Sequence, residues 1–241
     1  MRTFKTLASI PGFHHALTTR TDPGVSQGPY AAANLAYHVG DGPAHVTRNR
    51  QLLADGLGYH PTRLTAAQQV HGTGLTVVTA DNAGRGALSG ADAIPACDAL
   101  LTREPGLPLL IMVADCAPLL LVDPVTRALA VVHAGWRGAL GDIAGAAVRR
   151  MESEWDTRPE DVRVGIGPCL CLECLEVGPE VIAQLCEADR DCARPGTRNP
   201  HLDLRRVLGR DLARAGVLSE HVEVLEECPR CDGETLSLIH I

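Results

Sequence analysis

Continuous apolar runs occupy the middle of the chain and predict a buried sheet. They lie at 97–102, 107–114, 118–122 and 128–133. Unbroken apolar strands are typical of a sheet that is covered by other elements on both faces. After Gly138 the spacing becomes helical, and the pattern predicts a helix with apolar positions at Leu140, Ile143, Ala147, Val148 and Met151.

Shorter periodic segments surround this centre. A helix is predicted over 43–57, because Pro43 stands where a first helical turn favours proline. Further helices are predicted at 179–188 and 201–215, and short strands at 15–19, 62–66, 73–79, 162–166 and 222–225. No repeat and no low-complexity linker divides the chain. The alternation of strands and helices therefore predicts a single α/β domain.

The composition narrows the class of protein. The chain has 241 residues, of which 45% are hydrophobic, so it can build a sizeable core. Its net charge is −7, and it has only two Phe, three Tyr and two Trp. It therefore lacks both a basic surface for phosphates and an aromatic platform for bases. We expect no nucleic-acid partner.

Export and membrane insertion are not predicted either. The N-terminal residues have no long apolar core before Pro11, so they do not form a secretory signal. The longest apolar stretch, 107–122, is interrupted by Pro108, Asp115 and Pro118, which indicates two strands and no membrane span. Nine cysteines in a chain without an export signal are typical of reduced thiols, and we expect a cytoplasmic protein.

A thiol and two imidazoles end or interrupt the apolar segments. Cys116 follows the run at 107–114, His133 ends the run at 128–133, and His71 lies between two predicted strands. Two histidines and a cysteine form a three-ligand set for zinc, with a fourth position open as in catalytic zinc sites. The alternative for each of these side chains is an ordinary place in the core.

The surroundings of His133 favour a functional role. Gly135 and Gly138 allow close approach of the backbone, and Arg137 supplies a planar cation just before a predicted helix. A strand, a glycine turn and a helix can hold an anion, although no P-loop pattern is present. Asp115 and Asp98 either hold Arg137 or a ligand histidine in place, or cap the ends of strands.

Two further groups of residues allow more than one interpretation. Cys171 and Cys174 form one C-x-x-C pair, and Cys228 and Cys231 form another, but 53 residues separate the pairs and neither has a glycine-rich knuckle. This spacing argues against a structural zinc held by the four cysteines. Near the N-terminus, polar residues that include Arg20, Asn34, Asp41 and Arg50 either bind an anionic or sugar-like ligand or form a solvated loop.

The order of these motifs resembles a known family. The segments are ANL with HVGD, QVHG, CDALLT, ADCAPLLLVDP, VHAGWRG, GIGPC and NPHLDL, and they span roughly residues 10 to 230. They are similar to the YfiH family, the laccase-domain or multicopper polyphenol oxidase-like proteins. The resemblance implies one α/β domain of layered sandwich type, similar to the deamidase domain of cytotoxic necrotising factors.

The resemblance also implies site residues. By motif position it makes His71, Cys116 and His133 both the zinc ligands and the catalytic residues. It suggests Asn34, Arg50 and Arg137 as substrate-binding residues. Copper is a second metal that this site could take.

Several activities follow from the same resemblance. It implies a purine nucleoside phosphorylase that acts with phosphate on adenosine, inosine and methylthioadenosine, and adenosine deaminase activity. One alternative is a metal-free amide hydrolase acting on a peptidoglycan precursor, with Cys116 as nucleophile and His133 as base. Copper-dependent phenol oxidation is a weaker alternative, because the ten histidines do not form the paired motifs of a multicopper site. A zinc-stabilised binding module would not need the glycine-rich anion cradle.

The chain departs from the family pattern near its end. Leu175 stands where the family has tyrosine, and the chain ends in LSLIHI where the family continues with a further strand. These six residues, 236–241, can be encoded by the end of a common transposase sequencing adapter. We therefore expect the native domain to comprise residues 1–235, with a non-native tail in place of the last strand.

Overall fold

Ten strands and six helices build the described part of the chain, which in this computed structural model comprises residues 1–233 and 236. The strands are β1 Thr65–Ala66, β2 Leu75–Val77, β3 Ala99–Thr102, β4 Leu109–Leu110, β5 Ala117–Val122, β6 Leu129–Ala134, β7 Arg163–Ile166, β8 Ala193–Arg194, β9 His201–Leu202 and β10 Val222–Val224. The helices are α1 Lys5–Ala8, α2 Pro43–Leu57, α3 Trp136–Leu140, α4 Ile143–Trp155, α5 Pro179–Ile182 and α6 Leu204–Arg214.

Six strands form one mixed sheet in the order β10-β7-β5-β6-β3-β2. The pairings at its centre, β7 with β5, β5 with β6 and β6 with β3, are antiparallel. The outer pairings, β10 with β7 and β2 with β3, are parallel. In the β5–β6 pair Pro118 lies opposite His133. The start of β5 and the end of β6 therefore lie at the same edge of the sheet.

The sheet is covered on both faces. Alternate residues of a strand point to opposite faces, and on β6 Val132 packs with the buried residues of α4 and α6, whereas Val131 packs with Val78, Ile94 and Leu107 from the connecting loops. Near one edge the ring of Phe4 lies over Gly165, where a Cβ atom would be 2.4 Å from the ring. The result is a layered α/β fold, as the family resemblance implies, with its sheet covered on both faces, as the apolar runs predict.

Most predicted elements are confirmed. The helix over 43–57 has the predicted bounds, and the apolar runs at 97–102, 118–122 and 128–133 become β3, β5 and β6. The predicted strand at 15–19 is wrong, since Leu17 makes only an isolated bridge to Arg2.

Three other segments differ for local reasons. In 107–114 only Leu109–Leu110 is a strand, because the side-chain amide of Gln69 takes up both the N–H (2.8 Å) and the C=O (2.6 Å) of Met112. The helix predicted at 201–215 begins only at Leu204, where the Asp203 side chain accepts the N–H of Arg206 as an N-cap. The helix predicted at 179–188 ends at Ile182, after which the backbone hydrogen bonds are three residues apart.

None of the helices in the described part of the chain is both long enough and apolar enough to cross a membrane. The expectation of a non-native tail at 236–241 lies outside the described residues, apart from Leu236.

Candidate active site

One loop and two strand ends bring His71, Cys116 and His133 together. His71 lies in the loop between β1 and β2, Cys116 immediately precedes β5, and His133 is the last residue but one of β6. Their ligand atoms all lie within 4.8 Å of one another, and the two imidazole rings meet edge to face with centroids 4.7 Å apart. The three residues therefore converge on one point at the edge of the sheet.

Asp98 holds two of these three residues in place. Its carboxylate is fully buried and accepts the backbone N–H groups of Val70 (3.3 Å), His71 (2.9 Å) and Gly72 (2.8 Å). It also lies 2.8 Å from Nδ1 of His133. One carboxylate thus fixes the loop that carries one histidine and the ring of the other. Of the two roles open to Asp98 on sequence, the structure supports holding a ligand histidine.

The backbone around the site is closely packed. His71 has a φ of +59°, a left-handed conformation that the three N–H bonds to Asp98 hold in place. A Cβ atom on Gly135 would lie 3.1 Å from Sγ of Cys116 and 3.2 Å from Cδ2 of His71. Glycine at this position therefore lets the turn after β6 pass directly behind two of the three side chains.

The electrostatics follow from burial. Burial raises the pKa of the Cys116 thiol, and the neighbouring carboxylate of Asp115 raises it further. Burial lowers the pKa of His133, although its contact with Asp98 acts in the opposite direction. His133 is therefore held as a neutral imidazole, the form in which histidine binds metals. Asp115 itself is exposed to solvent.

The donor set fits a zinc ion. Because Asp98 occupies Nδ1 of His133, Nε2 of that ring remains as the ligand atom. Two imidazole nitrogens and one sulfur at this separation match three-ligand zinc sites that keep a fourth position for water or substrate. The same donors accept copper as well, so the residues alone do not select the metal.

Asn34 lies inside the protein. It is 1% exposed, its amide donates to Asp41 Oδ2 (2.9 Å) and to the carbonyl of Ala36, and its own oxygen accepts the N–H of Ala36. Every polar group of this side chain is therefore engaged in holding the loop. Its role in binding substrate stays a prediction.

Arg50 is also buried, at 3% exposure. Its guanidinium donates to the carbonyl oxygens of Leu35 (2.9 Å), Gly86 and Ala87 (3.1 Å), and it lies over the ring of Tyr37. These contacts join α2 to two loops. The structure thus gives Arg50 an internal role that its sequence context does not reveal, and its contact with substrate stays a prediction.

Arg137 is placed differently from the other two. It is exposed on the first turn of α3, directly after the glycine turn, and its guanidinium stacks on the ring of Trp136 at 4.2 Å. The cation is therefore open to solvent, and its contact with substrate stays a prediction. The predicted helix after Gly138 is divided, since α3 has only five residues before α4 begins.

His38 is a neighbour of the site that the candidate residues omit. Its pKa is lowered chiefly by burial, and further by electrostatic interaction with Arg50 and His71. It therefore lies within electrostatic range of a candidate ligand. In the sequence, His38 could have been recognised as a candidate by its place in the polar segment that also contains Asn34 and Asp41.

The two C-x-x-C pairs also come together, contrary to the sequence expectation. The sulfur atoms of Cys171, Cys174, Cys228 and Cys231 all lie within 4.8 Å of one another. The 53 intervening residues do not keep them apart, because β7 and β10 are parallel neighbours and the chain leaves both strands at the same edge.

A layered α/β fold with two histidines and a cysteine converging at a sheet edge defines a class of small α/β proteins with a candidate metal site. A sequence profile of the multi-copper polyphenol oxidoreductase laccase family matches residues 14–236. The chain belongs to this laccase-like family of enzymes, which includes the YfiH proteins, and the expected resemblance is confirmed.

Curated relatives carry enzyme names. The chain is 36% identical to purine nucleoside phosphorylase YlmD of Geobacillus stearothermophilus over 93% of this chain and 83% of that protein. It is 32% identical to adenosine deaminase RL5 of an unknown prokaryotic organism over 93% and 87% of the two chains.

The crystal structure of the Geobacillus protein YlmD confirms the fold. It superposes with a TM-score of 0.87 at 34% identity and covers 91% of this chain and 83% of that one. The Bacillus licheniformis hypothetical protein YfiH gives a TM-score of 0.86 at 30% identity, over 91% and 84% of the two chains. The expected single-domain mixed α/β fold is therefore confirmed.

Proposed function

We propose that the chain is a zinc-dependent purine nucleoside phosphorylase that acts on adenosine, inosine and methylthioadenosine. The observation that carries the proposal is the convergence of His71, Cys116 and His133 on one point, with the exposed Arg137 on the helix that follows β6. The names of relatives such as YlmD support the choice of reaction. All nine cysteines lie in the described part of the chain and none of them forms a disulfide, which supports a cytoplasmic setting.

In this reaction a phosphate oxygen forms a bond to C1′ of the ribose while the bond from C1′ to the purine nitrogen breaks. The purine leaves with the electron pair and takes up a proton, and the sugar leaves as its 1-phosphate. A zinc ion held by His71, Cys116 and His133 would supply a positive charge that polarises and positions phosphate or water. Arg137 binds the phosphate through its exposed guanidinium, whose planar donors match phosphate oxygens.

The other residues act by position. Asp98 keeps the loop of His71 and the ring of His133 in a fixed relation, so the three donors need no rearrangement when substrate binds. Because Gly135 has no side chain, it leaves the space that Cys116 and His71 occupy. Arg137 follows the cluster in the chain, on the helix that begins directly after the glycine turn of β6.

Deamination of adenosine is the second candidate function. A relative with 32% identity is named adenosine deaminase RL5. In this reaction a water oxygen bonds to C6 of adenine and ammonia leaves, so phosphate has no role. A zinc ion held by the same three residues would serve either reaction. The requirement for phosphate distinguishes phosphorolysis from deamination.

The decisive experiment uses the purified protein with its metal content measured. We expect inosine to yield hypoxanthine and ribose 1-phosphate only when phosphate is present. Turnover of inosine without phosphate contradicts the proposal, and ammonia release from adenosine without phosphate supports the deaminase. Arg137→Ala is expected to raise the KM for phosphate more than it changes the KM for inosine.

Two single-cysteine variants test the role of Cys116. Cys116→Ala is expected to lose both turnover and zinc at the site, whereas Cys186→Ala, which replaces an exposed thiol in another part of the fold, keeps both. Loss of turnover in Cys116→Ala with an unchanged zinc content would instead favour the metal-free amide hydrolase, in which Cys116 is the nucleophile. Oxidation of phenols that depends on added copper would favour the polyphenol oxidase.

A further inference from the structure

Four cysteine sulfurs lie together away from the candidate active site. Sγ of Cys231 is 3.9 Å from Sγ of Cys171 and 3.5 Å from Sγ of Cys174, and all four sulfur atoms fall within 4.8 Å of one another. A tetrahedral zinc ion with bonds of about 2.3 Å to sulfur separates its ligands by about 3.8 Å. The observed separations are therefore those of ligands around one ion. They are too long for disulfide bonds, which join sulfurs at about 2.05 Å.

The two C-x-x-C segments have the same backbone form. In the first, the N–H groups of Cys174 and Leu175 both donate to the carbonyl oxygen of Cys171 (2.9 and 3.0 Å). In the second, the N–H groups of Cys231 and Asp232 both donate to the carbonyl oxygen of Cys228 (3.0 and 2.8 Å). Two copies of one tight turn, each with a sulfur at both ends, thus face each other across the cluster.

An amide group also points at a sulfur. The backbone N–H of Cys171 lies 3.4 Å from Sγ of Cys228 and donates to it. Amide donors of this kind stabilise a sulfur that carries negative charge, as a metal-bound thiolate does. The lack of a glycine-rich knuckle therefore does not prevent such a contact, because the donor comes from the opposite turn.

The rest of the fold builds this arrangement. Ile166 and Val224 are partners at the ends of the parallel strands β7 and β10, and the N–H of Leu225 continues the ladder to Ile166. The first cysteine of each pair follows its strand by nearly the same distance. Arg205, on α6, then donates to the carbonyl oxygens of Cys169 (2.8 Å) and Glu227 (2.6 Å), which joins the two segments just before the turns.

We propose that Cys171, Cys174, Cys228 and Cys231 bind one zinc ion as a structural site, separate from the candidate active site and independent of the proposed activity. Four cysteines in two C-x-x-C turns are a closed ligand set with no position for substrate. An iron–sulfur cluster is a poorer match, because it places several iron and sulfide ions between the cysteine sulfurs, which here are close enough to share a single ion.

The zinc ion joins the C-terminal segment to the loop after β7. That loop also reaches the candidate active site, because the N–H of Leu170 donates to the carbonyl oxygen of Asp115 (3.0 Å), one residue before Cys116. The ion therefore stabilises the edge of the fold on which the catalytic cluster is built, without contributing a ligand to it.

The test measures zinc in the full chain by inductively coupled plasma mass spectrometry, after purification under reducing conditions with zinc present. We expect two zinc ions per chain in the unchanged protein and in the control Cys186→Ser. We expect one in Cys174→Ser/Cys231→Ser, which alters only partly or fully exposed thiols, and one in His71→Ala/Cys116→Ser. The two double variants separate this proposal from the proposed function, because each removes a different ion.

Cobalt gives a second measurement. Co²⁺ bound by four thiolates has intense sulfur-to-metal charge-transfer absorption, and this band is expected to disappear in Cys174→Ser/Cys231→Ser while remaining in His71→Ala/Cys116→Ser. Equal zinc contents in the unchanged protein and in Cys174→Ser/Cys231→Ser would overturn the proposal. A mass lower by the hydrogens of one or two disulfides under non-reducing conditions, with no zinc bound, would also overturn it.

Discussion

At the scale of single residues, Asp98 links two of the three side chains of the candidate active site. Its carboxylate accepts three backbone N–H groups of the His71 loop and contacts the ring of His133. Neighbours that orient metal ligands contribute strongly to metal affinity, and their replacement typically weakens binding about 10–100-fold.

Asp98→Asn is therefore expected to weaken zinc binding about 10–100-fold. The amide cannot accept from all of the N–H groups and the histidine as the carboxylate does. Competition with a chromogenic chelator measures the affinity. Asp123→Asn is the matched control, because Asp123 is equally buried and holds the N–H groups of Val125 and Thr126 in the turn after β5. Equal zinc affinity in both variants would contradict this role for Asp98.

Asp211 on α6 makes folding depend on pH. It is buried, and Oδ2 has no hydrogen-bond partner, whereas Oδ1 accepts from Arg214 (3.0 Å). Burial raises its pKa to about 7, and the nearby carboxylates of Asp142 and Asp189 act in the same direction while Arg214 opposes them. The folded protein therefore keeps a proton that the unfolded chain has already lost above its ordinary pKa.

This difference destabilises the fold as pH rises from about 4 to about 7, because the unfolded state binds fewer protons in that window. Asp211→Asn, which keeps the shape of the protonated side chain, removes the effect. We expect its free energy of unfolding to exceed that of the unchanged protein by about 1–3 kcal/mol at pH 8. We expect little difference at pH 4. Urea unfolding at the two pH values measures this, and an equal difference at both would contradict the assignment.

At the scale of elements, the turn from β6 into α3 sets the space for the candidate metal ligands. A Cβ atom on Gly135 would meet Sγ of Cys116 at 3.1 Å and the ring of His71 at 3.2 Å. Gly135→Ala is expected to displace these side chains, so that zinc affinity falls while the thermal unfolding temperature changes little. Calorimetry of zinc binding measures the first effect and circular dichroism the second. Unchanged affinity would show that the turn has more freedom than the close contacts indicate.

Helix α6 contains a glycine that, unlike Gly135, has open space where a side chain would be. Gly209 lies in the middle of the helix, and a Cβ atom there would have no neighbour within 4 Å. Gly209→Ala is expected to increase the free energy of unfolding by about 0.5–1 kcal/mol, because alanine loses less backbone entropy in a helix. Chemical denaturation measures the change. A decrease in stability would mean that the helix surface here is less open than the contacts show.

The elements also show what could be predicted from sequence. The apolar runs give β3, β5 and β6, and they place Cys116 and His133 at the same sheet edge once the strands pair as a hairpin. The order of the motifs supplies the third ligand. The internal role of Arg50 could not be predicted, because periodicity does not reveal which loop carbonyls turn inward.

The cysteine cluster could not be predicted either. Local spacing places the two C-x-x-C pairs 53 residues apart, and only the parallel pairing of β7 with β10 brings them together. Sequence patterns report the order of strands along the chain, whereas strand neighbours depend on the packing of the whole sheet. Sites made by distant strands are therefore the part of a fold that single-sequence reasoning misses.

At the scale of the whole molecule, metal binding and folding are linked. The candidate zinc ligands come from three segments that only the folded chain brings together, so the proposed zinc ion is expected to bind the native state in preference to the unfolded one. At a free zinc concentration about 100 times the dissociation constant, one site adds about 2.7 kcal/mol to the free energy of unfolding.

Removal of zinc with a strong chelator is therefore expected to lower the thermal unfolding temperature of the unchanged protein. The decrease is expected to be smaller in His71→Ala/Cys116→Ser, which has only the four-cysteine site to lose. Differential scanning calorimetry with and without chelator measures both. An equal decrease in the two proteins would mean that the three-ligand cluster does not bind zinc in solution.

The shared carboxylate of Asp98 has a consequence for how the active site opens. Because the His71 loop and the His133 ring are held by the same carboxylate, a shift of Asp98 disturbs both histidines at once. The two histidines therefore behave as a single cooperative unit, and a form with one histidine in place and the other released is disfavoured. Release of the proposed metal ion from this three-ligand site is therefore expected in a single kinetic phase rather than by stepwise loss of ligands.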